Sequence, residues 1–108
     1  MSKIAYDVKP FKIFMDTLSN SNRFRMVMSL KKPKNVSQIC SELKLNQTTV
    51  SHNLQRLLDC GFVFYRRNGK EKIFSLNKET ILPLVKLIES HTHCYCSKLC
   101  HCKMHGGQ

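Results

Sequence analysis

The stretch Val36-Ser-Gln-Ile-Cys-Ser-Glu-Leu-Lys-Leu-Asn-Gln-Thr-Thr-Val-Ser-His-Asn-Leu-Gln-Arg-Leu-Leu-Asp-Cys-Gly-Phe-Val63 decides the fold. Within it Val36, Ile39, Cys40 and Leu43 recur at the spacing of one helical face, and Val50, Leu54, Leu57 and Leu58 do so again. Asn35 stands where the first of these helices needs a cap, because its side-chain oxygen can accept from a first-turn N–H that has no partner inside the helix. Leu45-Asn46-Gln47 leaves only a tight connection. Gly61 is the residue type that ends a helix in the left-handed conformation. Two short amphipathic helices joined this closely have the spacing of a helix-turn-helix.

Working outward, the period switches from helical to extended after Gly61. Phe62-Val-Phe-Tyr65 and Ile73-Phe-Ser-Leu76 are strand-forming runs flanking Arg66-Arg-Asn-Gly-Lys70, and Asn68-Gly69 predicts a hairpin turn because both residues tolerate positive φ. From Thr80 onward Ile81, Leu82, Leu84, Val85, Leu87 and Ile88 predict a last helix, with Pro83 tolerable only in its first turn. Its apolar face is wider than one stripe, which predicts a second surface to cover, most simply a symmetry mate. Upstream, Phe11, Phe14, Met15 and Leu18 recur as one face of a first helix, and Ser19-Asn-Ser-Asn22 breaks it. A second helix then carries Phe24, Val27 and Met28 inward, up to the polar break Lys31-Lys-Pro-Lys-Asn35. The expected fold is mainly α, an α+β winged helix over residues 1–90, followed by a Cys/His-rich tail over residues 91–108.

Eighteen Lys and Arg against seven Asp and Glu give a net charge of +11. Such a balance suits a nucleic-acid partner, since neutralising phosphates releases condensed counterions. No apolar run approaches the ~20 residues of a membrane span, and Met-Ser-Lys-Ile-Ala-Tyr-Asp at the start has no signal-peptide core. A cytoplasmic protein without a membrane partner is expected, in which clustered cysteines serve as metal ligands or redox switches rather than as a disulfide framework. An enzyme is not expected, because the sequence has no Gly-rich phosphate loop, no nucleophile with its base and no carboxylate pair.

The fourth helix opposes its apolar stripe with Gln47, Thr48, Thr49, Ser51, His52, Gln55 and Arg56. Short donors and acceptors near a helix N-terminus are what a recognition helix uses to hold phosphates and reach base edges in the major groove of double-stranded DNA. Arg66, Arg67, Lys70 and Lys72 around the hairpin would position the protein on the backbone without reading sequence.

Taken with Arg66-Arg-Asn-Gly-Lys70 and Ile73-Phe-Ser-Leu76, the opening stretch resembles the ArsR/SmtB family of winged-helix repressors, over about residues 11–90. The resemblance implies a homodimer built from the first and last helices, bound to an inverted-repeat operator and released by a metal or metalloid. It also implies that Thr48, Thr49, Ser51, His52 and Arg56 face DNA. Two of the family's inducer sites are incomplete here. The arsenic-type positions hold Asn35 and Ser37, and the zinc-type positions hold Lys78, Thr80, His91 and Cys94. Cys60 resembles one thiolate of the cadmium/lead-sensing branch, whose second helix thiolate falls at Arg56. Cys40 reads instead as a core thiol on the apolar stripe of its helix.

The chain's own ligand chemistry lies at its end, His91-Thr-His-Cys-Tyr-Cys-Ser-Lys-Leu-Cys-His-Cys-Lys-Met-His105, which holds four of the six cysteines. Cys94, Cys96, Cys100 and Cys102 are soft ligands suited to Zn, Cd, Pb, Cu(I) or As(III), with Cys60, His91, His93, His101 and His105 as additional candidates. The spacing does not choose the ion. A four-cysteine site requires the chain to leave a helical path and wrap around it. Oxidation of the same four thiols without metal, a redox switch, is the alternative.

Overall fold

The computed structural model describes residues 7–96 and residue 99. The order is α1 (Lys9–Ser19), α2 (Ser21–Ser29), α3 (Val36–Leu43), α4 (Gln47–Asp59), β1 (Val63–Asn68), β2 (Glu71–Leu76) and α5 (Ile81–His91), with a π-helical turn, Thr92–Cys96, continuing the last helix. Among the described residues this is five α-helices and one two-stranded antiparallel hairpin, the winged helix that the sequence predicts. The chain divides into two compact units, Met1–Asn77 and Lys78–Gln108.

Local chemistry sets the helix boundaries of the first unit. Asn20 ends α1 and caps α2, its side chain accepting from Arg23 N–H at 3.0 Å. Asn35 forms a reciprocal capping box with Gln38 at α3, both bonds 2.8 Å long, so two otherwise unpaired donors are satisfied. Asn46 caps α4 by accepting from Thr49 N–H at 2.7 Å. Between α3 and α4 the chain turns through Lys44, the one non-glycine residue at positive φ among those described. Past the end of α4, Gly61 adopts φ 73°, as the sequence predicts.

The core of this unit packs Met26 and Val27 of α2 with Leu30 at its C-terminal cap, Ile39 of α3, Val50, Leu54 and Leu57 of α4, and Phe62, Val63, Phe74 and Leu76 at the hairpin base. Each such side chain removed from water contributes ~1.5–3 kcal/mol, and together they fix α4 against α3 and the wing. Two expectations shift. On α2 and its cap the buried stripe is Met26, Val27 and Leu30, while Phe24 and Met28 are half-buried. On α1 the predicted face is rotated: Phe11 and Met15 are exposed, Phe14 and Leu18 half-buried, and Thr17 is the fully buried residue. Phe14 stacks on Phe62 with centroids 5.1 Å apart. This leaves Val8, Phe11 and Met15 as an uncovered apolar stripe of α1, since only part of its apolar perimeter meets this chain's core.

The hairpin register pairs Val63 with Leu76 at its base and Asn68 with Glu71 at its tip. The turn is therefore Gly69-Lys70, one residue later than Asn68-Gly69. Gly69 has φ 67° and Asn68 is not in the positive region. Positive φ at the first central residue alone is the pattern of a type II′ turn, which places Gly first and suits strand twist. Lys34 adds a bridge that sequence periodicity does not reveal, exchanging 2.8 and 3.0 Å backbone hydrogen bonds with Phe74. The wing is thereby tied to the segment that leads into α3.

In the second unit α5 buries Ile81 and Val85 and leaves Leu87 exposed. Pro83 sits in its first turn, where a missing N–H costs nothing. No helix among the described residues is long and apolar enough to cross a membrane.

Candidate nucleic-acid interface

With ~100° between successive residues, Gln47, Thr48, Ser51, His52 and Gln55 span about 140° of the α4 surface. All five are exposed. Thr49 is half-buried at the edge of this arc. Val50, Leu54 and Leu57 occupy the opposite side, so core packing itself turns the polar arc outward. Such a helix presents hydroxyl, amide and imidazole groups of the kind that pair with base edges and phosphates.

Arg56 borders this arc, lining a surface groove with His52 and Gln55, but its guanidinium is engaged elsewhere. Its guanidinium turns toward α1 and donates from Nε and Nη2 to Thr17 Oγ1 at 3.1 and 2.9 Å. Thr17 Oγ1 in turn donates to Ile13 O at 2.8 Å and lies 3.5 Å from Cys60 Sγ. The physical reason is position: Arg56 lies at the border between the polar arc and the buried face, within reach of a buried hydroxyl. Arg23, which sequence reading passed over, reinforces the same junction. It donates to Thr17 O at 2.8 Å, Asp16 O at 3.2 Å and the Asn53 side chain at 3.2 Å, while buried Asn53 donates to Thr49 O. Two arginines thus clamp the C-terminal end of α1 to α4. A buried threonine inside an apolar helix was the only sequence signal for it.

On the wing Arg66, Arg67, Lys70 and Lys72 are all exposed. Arg67 and Lys72 face each other directly across the strands. Like charges so opposed destabilise a hairpin, and a phosphate between them would relieve the repulsion. Lys72 also lies 4.7 Å from the centroid of the Tyr65 ring, which holds its ammonium on the same face as Arg67. Glu71, the carboxylate nearest the tip, is engaged by Asn35 Nδ2 at 2.8 Å.

Four of the thiols lie among the described residues. Cys40 and Cys60 are half-buried on α3 and at the end of α4, and Cys94 and Cys96 are exposed on the π-helical turn. His91 and His93 are exposed beside them, and the His91 ring lies 5.0 Å from that of Tyr95. Cys100, Cys102, His101 and His105 lie outside the described residues. Among the described residues no group of three or more His, Cys, Asp or Glu side chains is arranged to hold an ion. Cys94 and Cys96, two positions apart on a helical path, point about half a turn from one another. As placed, this pair does not fit a single metal ion.

Residues 20–65 match the model of the bacterial regulatory protein family arsR. The chain is 31% identical over 75 residues to a probable mercury resistance operon repressor of Streptomyces lividans, covering 68% of this chain and 60% of that protein. The chain thus spans 60% of the length of this curated relative. Among solved structures it is similar to the homodimeric winged helix-turn-helix DNA-binding domain of a possible ArsR-family regulator of Mycobacterium bovis, with TM-score 0.67, 25% identity, and coverage of 78% of this chain and 82% of that one. Rv0081 of Mycobacterium tuberculosis superposes with TM-score 0.75 at 24% identity, covering 87% and 97%. The transcriptional repressor BigR from Xylella fastidiosa gives TM-score 0.63 at 24% identity, covering 82% and 84%.

Proposed function

We propose that this chain, whose residues 20–65 match the model of the bacterial regulatory protein family arsR, is a DNA-binding transcriptional repressor that leaves its operator on binding a thiophilic metal or metalloid. The observation that carries the DNA half is the outward polar arc of α4 beside a wing whose Arg67 and Lys72 are cross-strand neighbours. In this reading Gln47, Thr48, Thr49, Ser51 and His52 enter the major groove. Arg66, Arg67 and Lys70 meet the backbone of double-stranded DNA. Arg56 serves to hold α4 rather than to read it.

A homodimer on an inverted repeat completes the proposal. The uncovered Val8, Phe11 and Met15 of α1 and the exposed Leu87 of α5 are the apolar groups that a second copy would cover. Residues 1–90 are the DNA-binding and dimerising part, and residues 91–108 are the effector-binding tail. Cytoplasmic residence follows from such a role.

For the effector, Cys94, Cys96, Cys100 and Cys102 are the proposed ligands, with His91, His93, His101, His105 and Cys60 as further candidates. Hg(II) joins Zn, Cd, Pb, Cu(I) and As(III) as an ion to test, because the Streptomyces relative is named for mercury resistance. A coupling of ~1–3 kcal/mol, or roughly 5–150-fold in operator affinity, is enough to switch a gene. The test of the DNA half is selection of binding sites from random duplexes. Enrichment of an inverted repeat, bound by a dimer with steep salt dependence, is the expected result. Equal binding of all sequences would leave only charge-driven association.

A further inference from the structure

Arg23 joins three helices through one planar side chain. From α2 it donates Nε–H to Thr17 O at 2.8 Å and Nη2–H to Asp16 O at 3.2 Å, two carbonyls in the last turn of α1, and Nη1–H to Asn53 Oδ1 of α4 at 3.2 Å. Asn53, 6% exposed, passes the tie on by donating from Nδ2 to Thr49 O at 2.9 Å, in the first turn of α4 beside the outward polar arc. Building on the reading of the chain as a dimeric DNA binder, we propose that Arg23 and Asn53 are positioning residues that fix α4 relative to α1, and so set the spacing between operator half-sites that the dimer accepts.

The two sides of α1 suit it to carry that geometry. Val8, Phe11 and Met15, the exposed stripe assigned to a second copy, lie about 120–180° around the helix from buried Thr17. The inner side meets α4 through Thr17 and meets Phe62, just past the end of α4, through the Phe14 ring stack. Stacked rings slide and tilt at little cost, whereas hydrogen bonds weaken steeply once their angle falls below about 120°. Direction is therefore supplied by the arginine fork, whose N–H groups lie in one plane. Its charge also suits the C-terminal end of α1, where carbonyls lack helical partners. One extra base pair between half-sites parts the two copies of α4 by ~3.4 Å and turns them by ~34–36°, so each protomer must yield ~1.7 Å and ~17°. A displacement of that size stretches or bends the three Arg23 bonds, which now measure 2.8 to 3.2 Å. The dimer should resist it for as long as the fork is in place.

The test takes the inverted repeat selected from random duplexes, adds or removes one base pair at its centre, and measures the affinity of the full-length protein by fluorescence anisotropy at fixed salt. The wild-type chain should lose about tenfold for either change, the loss expected when a base contact is misplaced. Arg23→Lys keeps the charge but not the fork, and should cut that loss to about threefold or less while leaving the salt slope on the preferred repeat unchanged. Asn53→Ser breaks the same tie from the α4 side and should do likewise; it carries the test alone if Arg23→Lys shows no cooperative urea transition. Ile39→Val, a mild loss of stability in the α3 core, should keep the wild-type discrimination. If Arg23→Lys and Asn53→Ser lower affinity for every spacing by one factor, the joint is structural only and the proposal is overturned, with the DNA-binding reading intact. Wild-type affinity indifferent to spacing would overturn it in the same way. Failure of the selection to enrich any inverted repeat would remove the dimeric reading, and the proposal with it.

Discussion

Arg56 offers the sharpest test of how α4 is held. Thr17 is fully buried, and its hydroxyl accepts two N–H groups from Arg56 at 3.1 and 2.9 Å. Thr17→Val keeps shape and β-branching, so neither a cavity nor a change of helix propensity confuses the result. A buried hydrogen bond to a charged group is worth ~1.5–3 kcal/mol, but Arg56 is half-buried and can turn to water. Discounted for that escape, Thr17→Val should lower unfolding free energy by about 1–2 kcal/mol at fixed protein concentration, seen as a lower urea midpoint with unchanged slope. Arg56→Met should cost a similar amount, and the double variant should show ~1 kcal/mol of coupling, because either change alone breaks the same bonds. On DNA, Arg56→Met should weaken operator binding while leaving the salt dependence of log K unchanged. Additive stabilities, together with a salt slope reduced by ~0.9, would show that Arg56 spends its charge on a phosphate instead.

Other substitutions read out separate parts of the same architecture. Arg67→Ala should weaken binding to all sequences about equally and reduce the salt slope by ~0.9, while relief of its repulsion with Lys72 leaves thermal stability unchanged or raised by a few tenths of a kcal/mol; fluorescence anisotropy and a thermal melt check the two halves. Asn35→Ala removes the capping box of α3 and should cost ~1 kcal/mol in urea unfolding. Gly69→Ala meets no atom within 4 Å, so its expected ~1 kcal/mol cost is backbone strain at φ 67°, measurable by the same unfolding curve.

The sequence made the helix-turn-helix and the hairpin legible because both rest on short-range rules. Asn35 and Gly61 stand at helix ends for reasons internal to each turn, and Val50, Leu54 and Leu57 repeat at the helical period. Periodicity identifies an apolar face but not what covers it. Hence Phe11 and Met15 share one predicted face with Phe14 and Leu18, although the face of α1 that meets this chain's core is the one bearing Phe14 and Thr17. The turn slipped from Asn68-Gly69 to Gly69-Lys70 because a II′ turn needs only one positive φ, which glycine supplies at its first central position. The Arg56–Thr17 contact was not legible because a long side chain at the border of two faces follows its best acceptor, and Thr17 lies thirty-nine positions away in sequence. The thiols stand out in the sequence by type and number. Their mutual aim depends on the helical winding past His91, which a motif without helix formers did not predict.

Operator affinity measured with chelator, and then with each soft ion in turn, tests the proposed repression directly, on the intact reduced protein at fixed salt and on a chain ending at Ser90. The prediction is tight binding by both proteins with chelator, and a 5-fold or greater loss with at least one of Hg(II), Cd(II), Pb(II), Zn(II), Cu(I) or arsenite in the intact protein alone, within the ~1–3 kcal/mol range of coupling. Unchanged affinity of the intact protein with every ion would contradict it, and loss of affinity on oxidation in metal-free buffer would then assign the same cysteines to redox control.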